Sequence, residues 1–277
     1  MKTRVLTGIA ILLPAAYLIG WSPQWLFMAV LIILVERGLH EYFFIARQAG
    51  LAVFPAVGYI AGAIICLLQW PGLRGFGALE VVGVLAAILT VPVVAVWITR
   101  DLRQYLTAAS ITLMGIFYVA LTFSCLFPLR FSSVGSRFAD GRQIAFFLFA
   151  VICVGDIFAY LTGRALGRRR IFPRVSPKKT FEGAAGGFVA SIAAGFAYAQ
   201  GFWQTTDWKT VILLAGSVAL AGQLGDLVES ALKRGANLKD SGSLLPGHGG
   251  LLDRIDSLLF GAPVLWLALT AGILIRK

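Results

Sequence analysis

The sequence predicts an all-α, polytopic integral membrane protein with about nine transmembrane helices. Three observations carry that expectation. Of the 277 residues, 58% are hydrophobic and 13% charged, with a mean hydropathy of +0.84; soluble domains average about 45–50% apolar and about 25% charged residues. Apolar runs of about 20 residues, the helical length that crosses a hydrocarbon core of about 30 Å, recur along the whole chain. Glycine (31) and phenylalanine (20) are abundant, as suits helices packed closely in lipid. The same figures exclude a cytosolic globule and an intrinsically disordered chain.

The spans fall at 5–20, 24–46, 52–70, 77–98, 106–127, 144–166, 183–203, 209–231 and 256–275. About five belong to an N-terminal set within residues 1–140. The others, within 141–277, alternate with the longest polar loops. The first span follows Lys2 and Arg4 and ends near Pro14, as a signal peptide does; because further spans follow, it is expected to remain as a helix. The second carries Glu36, Arg37, His40 and Glu41. It is expected to leave the hydrocarbon near Val35, with these acids, like Glu80, at the interface. Cys66, Cys125 and Cys153 lie in apolar runs at spacings that fit no metal or disulfide framework, and read as buried free thiols.

The net charge is +11. With the N-terminus inside, seventeen lysines and arginines fall on the cytoplasmic side and seven outside, which sets the expected orientation. The excess is thus first a topology signal, and no nucleic-acid partner is expected. The polar loops 164–182 and 234–256 both lie on the cytoplasmic side, so chemistry is expected there.

The most informative run is Ser230 to Asp256. Asp253 and Asp256, three apart, share one face at the start of the last helix. Gly249 and Gly250 follow His248 just before that helix, where backbone N–H groups and the helix dipole favour an anion. Lys233, Arg234, Lys239 and Arg254 supply cations around the same loop. Acids and cations so mixed suit a hard metal ion holding a polyphosphate. Asp226, with Glu229 and Ser230 one turn on, closes a long apolar run, and an acid at membrane depth is a functional candidate. A second run, Ser176-Pro177-Lys178-Lys179-Thr180-Phe181-Glu182-Gly183, places two lysines and a hydroxyl before a glycine-rich helix start. It reads as a phosphate cradle without the Walker spacing. The pair Gly186-Gly187 also suits close helix packing, and Asp156 with Tyr160 forms a third polar group within an apolar helix.

The run Ser-x-x-Lys-Arg, four residues, Lys-Asp, then Pro-x-His-Gly-Gly-x-x-Asp-Arg-x-Asp, ending at Asp256, resembles the signature of the phosphatidate cytidylyltransferase (CDP-diacylglycerol synthase) family. The block from Ser176 to Gly183 and the pair Gly225-Asp226 are similar to that family as well. The resemblance is strongest from about Asp156 onward. Three residues depart from it: Ile157 and Phe158, in Asp156-Ile157-Phe158-Ala159-Tyr160 where Asp-Thr-Gly-Ala-Tyr is frequent, and Ser243 where histidine is common.

The resemblance implies a bacterial inner-membrane enzyme that transfers CMP from CTP to phosphatidic acid, with its site facing the cytoplasm. It implies Mg²⁺, with a second, monovalent cation conceivable, held by Asp226, Asp253 and Asp256. By motif, Ser176, Lys178, Lys179, Thr180 and Glu182 would serve CTP, as would Ser230, His248, Gly249 and Gly250 for the substrates. Lys233, Arg234, Lys239 and Arg254 would hold the lipid phosphate or leaving pyrophosphate. A homodimer among membrane lipid is the implied assembly. The rival in related chemistry is a CTP-dependent lipid kinase. A transporter would need broken helices paired across two related halves, whereas these polar groups gather at one end.

Overall fold

The computed structural model describes residues 13–70, 78–99, 101–131, 139–203, 207–242 and 249–275. The chain divides into two compact units, Met1–Phe127 with Leu232–Arg254, and Pro128–Ala231 with Ile255–Lys277.

In the first unit, α1 (Gln24–Gln48) buries Phe27, Leu31, Val35, Leu39, Phe43 and Ala46, a stripe at helical spacing. Pro55 starts α2 (Pro55–Leu68) at a position that needs no N–H bond. Its Gly62 admits the Leu39 side chain, whose Cδ1 lies 2.6 Å from where a Cβ would stand. Helix α3 (Ala78–Ile98) contains Pro92, and its Trp97 is exposed, as suits a lipid-facing side chain. Helix α4 (Leu102–Phe131) starts at the Asp101 cap and includes a π turn over Ile116–Leu121. The Phe54 N–H donates to Thr112 Oγ1 (3.0 Å), and Gln69 to Ser124 (3.3 Å), joining α4 to both ends of α2.

In the second unit, α5 (Gly141–Leu166) opens on an Asp140–Gln143 capping box. It lies against α6 (Phe181–Phe202). The buried positions of α6 are Gly183, Gly187, Ser191, Gly195 and Ala199, a small residue at every fourth place. Such a stripe lets two backbones approach closely. Gly155 and Ala159 meet it from α5, and Ser191 donates to the Val151 carbonyl at 2.8 Å. Gly186 and Gly187 do serve packing, against Thr162 and Ala159. Helix α7 (Trp208–Gly235) then packs on α8 (Leu252–Ile275), with Gly222 against Ser257 and Gly225 against the Asp256 carbonyl.

Among the described residues, four helices are long and apolar enough to cross a membrane: Leu102–Phe131, Gly141–Leu166, Trp208–Gly235 and Leu252–Ala271. Length and composition thus support four of the nine expected spans, and the first half of the expected span 5–20 lies outside the described residues. Helix α1 is long enough but carries Glu36, Arg37 and Glu41 on its second half. The expected span 52–70 yields a helix of 14 residues.

One expectation is corrected. Cys66 and Cys125 are buried, but Cys153 is exposed, because it faces outward from an apolar helix. Glu41, one of the acids expected at the interface, is buried within the protein at 1% exposure.

Candidate active site

In the first unit, the chain leaves α7 through a turn that closes with Leu238 N–H on the Lys233 carbonyl (2.8 Å) and Asn237 at φ 57°. Arg234 donates to the Leu238 carbonyl at 2.8 Å. Asp253, in the first turn of α8, gathers the loop on its carboxylate. Oδ2 accepts from Gly250 N–H (2.8 Å), Ser241 N–H (2.9 Å) and Ser241 Oγ (3.0 Å), and Oδ1 accepts from Lys233 Nζ. The Lys233 and Asp253 side chains are each 11% exposed. Removing one partner of so enclosed a pair costs on the order of 3–5 kcal/mol.

Glu41 occupies the next position inward. Its oxygens accept from Leu251 N–H (3.0 Å), Leu252 N–H (2.9 Å) and Ser241 Oγ (2.9 Å), with Arg37 at 3.3 Å. The glycine loop thus behaves as an anion-binding helix start, as its composition suggests, but the anions seated on it are two carboxylates of this chain. Gly249 has φ +77°, and a Cβ there would stand 2.5 Å from Asp253 Oδ2. A Cβ on Gly250 would collide with Ser241 Oγ and Glu41 Oε2. Glycine is therefore required at both positions by close approach and, at 249, by the left-handed backbone as well. Lys239 and Arg254 are exposed. His248 lies outside the described residues, as does Ser243.

In the second unit, Ser176–Lys179 forms a turn with Pro177 at its second place, closed by Lys179 N–H on the Ser176 carbonyl (3.2 Å). The segment is tied back by Ile171 N–H to the Lys179 carbonyl (3.1 Å) and Phe181 N–H to the Arg169 carbonyl (2.8 Å). Thr180 caps α6 by accepting from Gly183 N–H. Lys178 is exposed, whereas Lys179 Nζ reaches Asp226 Oδ2 at 2.6 Å. Ser230 lies one turn on, its hydroxyl 3.5 Å from Asp226 Oδ1. Asp156 falls within electrostatic reach of both Asp226 and Lys179. Gln223 donates to the Ala184 carbonyl at 3.0 Å, holding α7 beside the start of α6. The bulky Ile157 and Phe158 are exposed, so this departure from the family pattern leaves the α5–α6 contact to Gly155 and Ala159.

Glu182 takes a structural part. Its Oε2 accepts from the backbone N–H groups of Arg168 (3.0 Å) and Arg169 (3.2 Å). The Arg168 N–H first, with those of Glu182 and Arg169, holds this carboxyl below its ordinary value of 4.5. Its contribution is therefore complete above that ordinary value and lost as pH falls through the depressed one. Hydrogen exchange at the Arg168 and Arg169 amides, corrected for the intrinsic pH effect, is expected to stay slow from about pH 8 to about pH 5. Glu182→Gln is expected to speed that exchange already at neutral pH.

A divalent ion fits the donor chemistry in a limited way. Among the described residues, no three His, Cys, Asp or Glu side chains gather as a cage. Mg²⁺, however, is commonly held by one or two carboxylates with substrate phosphates and waters. Asp226 and Asp256 lie on facing helices of the second unit, where Gly225 abuts the Asp256 backbone, and Asp256 Oδ1 accepts from Ser257 N–H at 2.7 Å. Asp253 has Oδ2 filled by three donors, so its Oδ1, now on Lys233, is the oxygen it can offer.

Glu41 and Ser241 escape a reading of motifs alone. The signal present for Glu41 is an acid set one turn after Arg37, followed directly by Tyr42, Phe43 and Phe44.

Comparison with known proteins adds an independent line. The model of the cytidylyltransferase family matches residues 2–271. Phosphatidate cytidylyltransferase of Bacillus subtilis is 31% identical over 274 residues, 97% of each chain. That of Thermotoga maritima is 33% identical over 271 residues, 95% of this chain and 94% of its own. That of Brucella abortus is 40% identical over 191 residues, 69% of this chain and 66% of its own.

Proposed function

This chain belongs to the cytidylyltransferase family, and on that premise we propose that it transfers CMP from CTP to phosphatidate, giving CDP-diacylglycerol and pyrophosphate. The observation that carries the reading is the Lys179–Asp226 ion pair. It joins, within one unit, the Ser176–Gly183 block to the Gly225–Ser230 block, two runs that resemble the family.

In this reaction an oxygen of the lipid phosphate attacks the α-phosphorus of CTP. The α–β phosphoanhydride bond breaks and pyrophosphate leaves with the bonding pair. No protein nucleophile is required; catalysis rests on positioning and on charge. Both substrates are anions, so cations must offset their repulsion before the phosphates can meet. Ser176, Lys178, Lys179 and Thr180 bind the CTP phosphates. Lys233, Arg234, Lys239 and Arg254 take the lipid phosphate and the leaving pyrophosphate, where charge-assisted hydrogen bonds are strongest. Asp226 orients Lys179, and Asp253 orients Lys233. Asp226, Asp253 and Asp256 are the carboxylates offered to Mg²⁺, which would neutralise the polyphosphate. The site faces the cytoplasmic leaflet of a bacterial inner membrane, where CTP is available and where the lysines and arginines concentrate. The chain acts as a homodimer, as the resemblance implies.

The test is incorporation of label from α-³²P CTP into chloroform-soluble lipid by the purified chain given phosphatidate, with and without Mg²⁺. CDP release with a phosphorylated lipid product would instead identify a kinase. Lys179→Ala is expected to lower kcat by about 10²–10³-fold, the usual loss when one donor to a developing charge is removed. A Lys179→Ala chain of unchanged kcat and KM would remove this lysine from the site.

A further inference from the structure

We infer that Glu41 is a positioning residue for this transfer: through Ser241 it fixes the Asp253 carboxylate and the start of α8. The inference rests on the function proposed above, yet its structural half can be read without turnover.

Glu41 stands on α1, 200 residues before Ser241 of the loop it holds, beside Leu39, Tyr42 and Phe43, which are apolar or aromatic. At 1% exposure a charged carboxylate persists only where donors replace its water. Here they do. Leu251 and Leu252 N–H are orphan donors at the start of α8, which no helical carbonyl can satisfy. Glu41 takes both, at 3.0 and 2.9 Å. Ser241 Oγ is its third donor, and Arg37, 3.3 Å away, is its counter-charge. Three donors on two oxygens, with the cation on one side, give this carboxylate a single orientation.

The consequence for Asp253 follows from counting one proton. Ser241 Oγ lies 2.9 Å from Glu41 Oε2 and 3.0 Å from Asp253 Oδ2. A hydroxyl has one hydrogen to donate, so the two carboxylates share it. Backbone donors Ser241 N–H and Gly250 N–H keep Asp253 Oδ2 in place, and both belong to the loop that Glu41 pins. Asp253 Oδ1 is thereby left directed at Lys233. Without Glu41, Ser241 belongs to Asp253 alone, the two N–H groups of α8 lose their acceptor, and the direction of Oδ1 is no longer determined.

The experiment uses the full chain in detergent with labelled CTP and phosphatidate. Glu41→Gln keeps the shape but places an amide NH₂ where one oxygen accepts. It is expected to lower kcat about 10–100-fold, the usual loss when the partner of a metal-holding carboxylate is changed, and to leave KM for CTP within about twofold. Hydrogen exchange at the Leu251 and Leu252 amides is expected to quicken. The separating measurement is the double variant Glu41→Gln/Ser241→Ala. Action through Ser241 makes its kcat no lower than that of Glu41→Gln alone, whereas losses that multiply overturn the inference. Wild-type kcat in Glu41→Gln also overturns it. Should Glu41→Gln fail to fold, Ser241→Ala leaves both amide bonds of Glu41 intact. It must then lower kcat while Leu251 and Leu252 stay protected, and unchanged kcat overturns the proposal. A wild-type chain that incorporates no label defeats the functional reading instead, and amide protection still reports on the clamp.

Discussion

Asp253→Asn is expected to abolish measurable CMP transfer, with kcat lower by about 10³-fold. The carboxylate accepts from four donors, Lys233 Nζ, Ser241 N–H, Ser241 Oγ and Gly250 N–H. An asparagine has one oxygen and one NH₂. Whichever way it turns, its NH₂ faces donors: Lys233 on one side, or two backbone N–H groups on the other. The Lys233 ammonium then loses this counter-charge, a change on the order of 3–5 kcal/mol. An effect of that size on a group that must meet a phosphate corresponds to about 10²–10⁴ in rate. Turnover by the labelled-CTP assay measures the loss, and exchange at the Ser241 and Gly250 amides shows how much of it comes from a loosened loop. A variant that turns over at the wild-type rate would place Asp253 outside the reaction.

Gly187→Leu is expected to prevent the second unit from folding. A Cβ at 187 would stand 2.7 Å from the Gly155 carbonyl oxygen and 2.7 Å from Ala159 Cβ. Both obstacles belong to a helix backbone or its first side-chain atom, so no rotamer change relieves them. Overpacking a core side chain costs about 1–3 kcal/mol when neighbours yield; where they are backbone, the helices must separate. Separation would also break the Ser191 bond to Val151 and shift the Thr180 cap of α6, which directly follows Lys179. Thermal unfolding of the purified variant, with its size-exclusion profile, checks the result. Gly201→Ala, on the same helix with nothing within 4 Å of its Cβ position, is the contrast. It is expected to be neutral or stabilising by up to about 1 kcal/mol.

Much of the site is legible as residue type and spacing. Asp226, Lys179, Lys233 and Asp253 stand out as charges beside apolar runs, and the structure places each in an ion pair. Their partners are not legible. Lys179 and Asp226 are far apart in sequence, as are Glu41 and Ser241, and a pairing of that kind depends on how helices pack. Periodicity also locates the helices well; among the described residues, length and composition support four of the expected spans, and α1 falls outside those four because of the charges on its second half.

Composition alone determined that this is a helical membrane protein, because a chain 58% hydrophobic has no soluble alternative that buries its apolar surface. Residue spacing pointed to a metal ion with a polyphosphate, and the resemblance of the same runs to a known family implied the reaction. Tertiary structure decided which acid meets which donor. It turned Gly249 and Gly250 into the approach for two internal carboxylates, and it made Glu41 the acceptor at the start of α8. Hydrogen bonds are directional and short, so their partners follow from packing in three dimensions and not from position in the sequence.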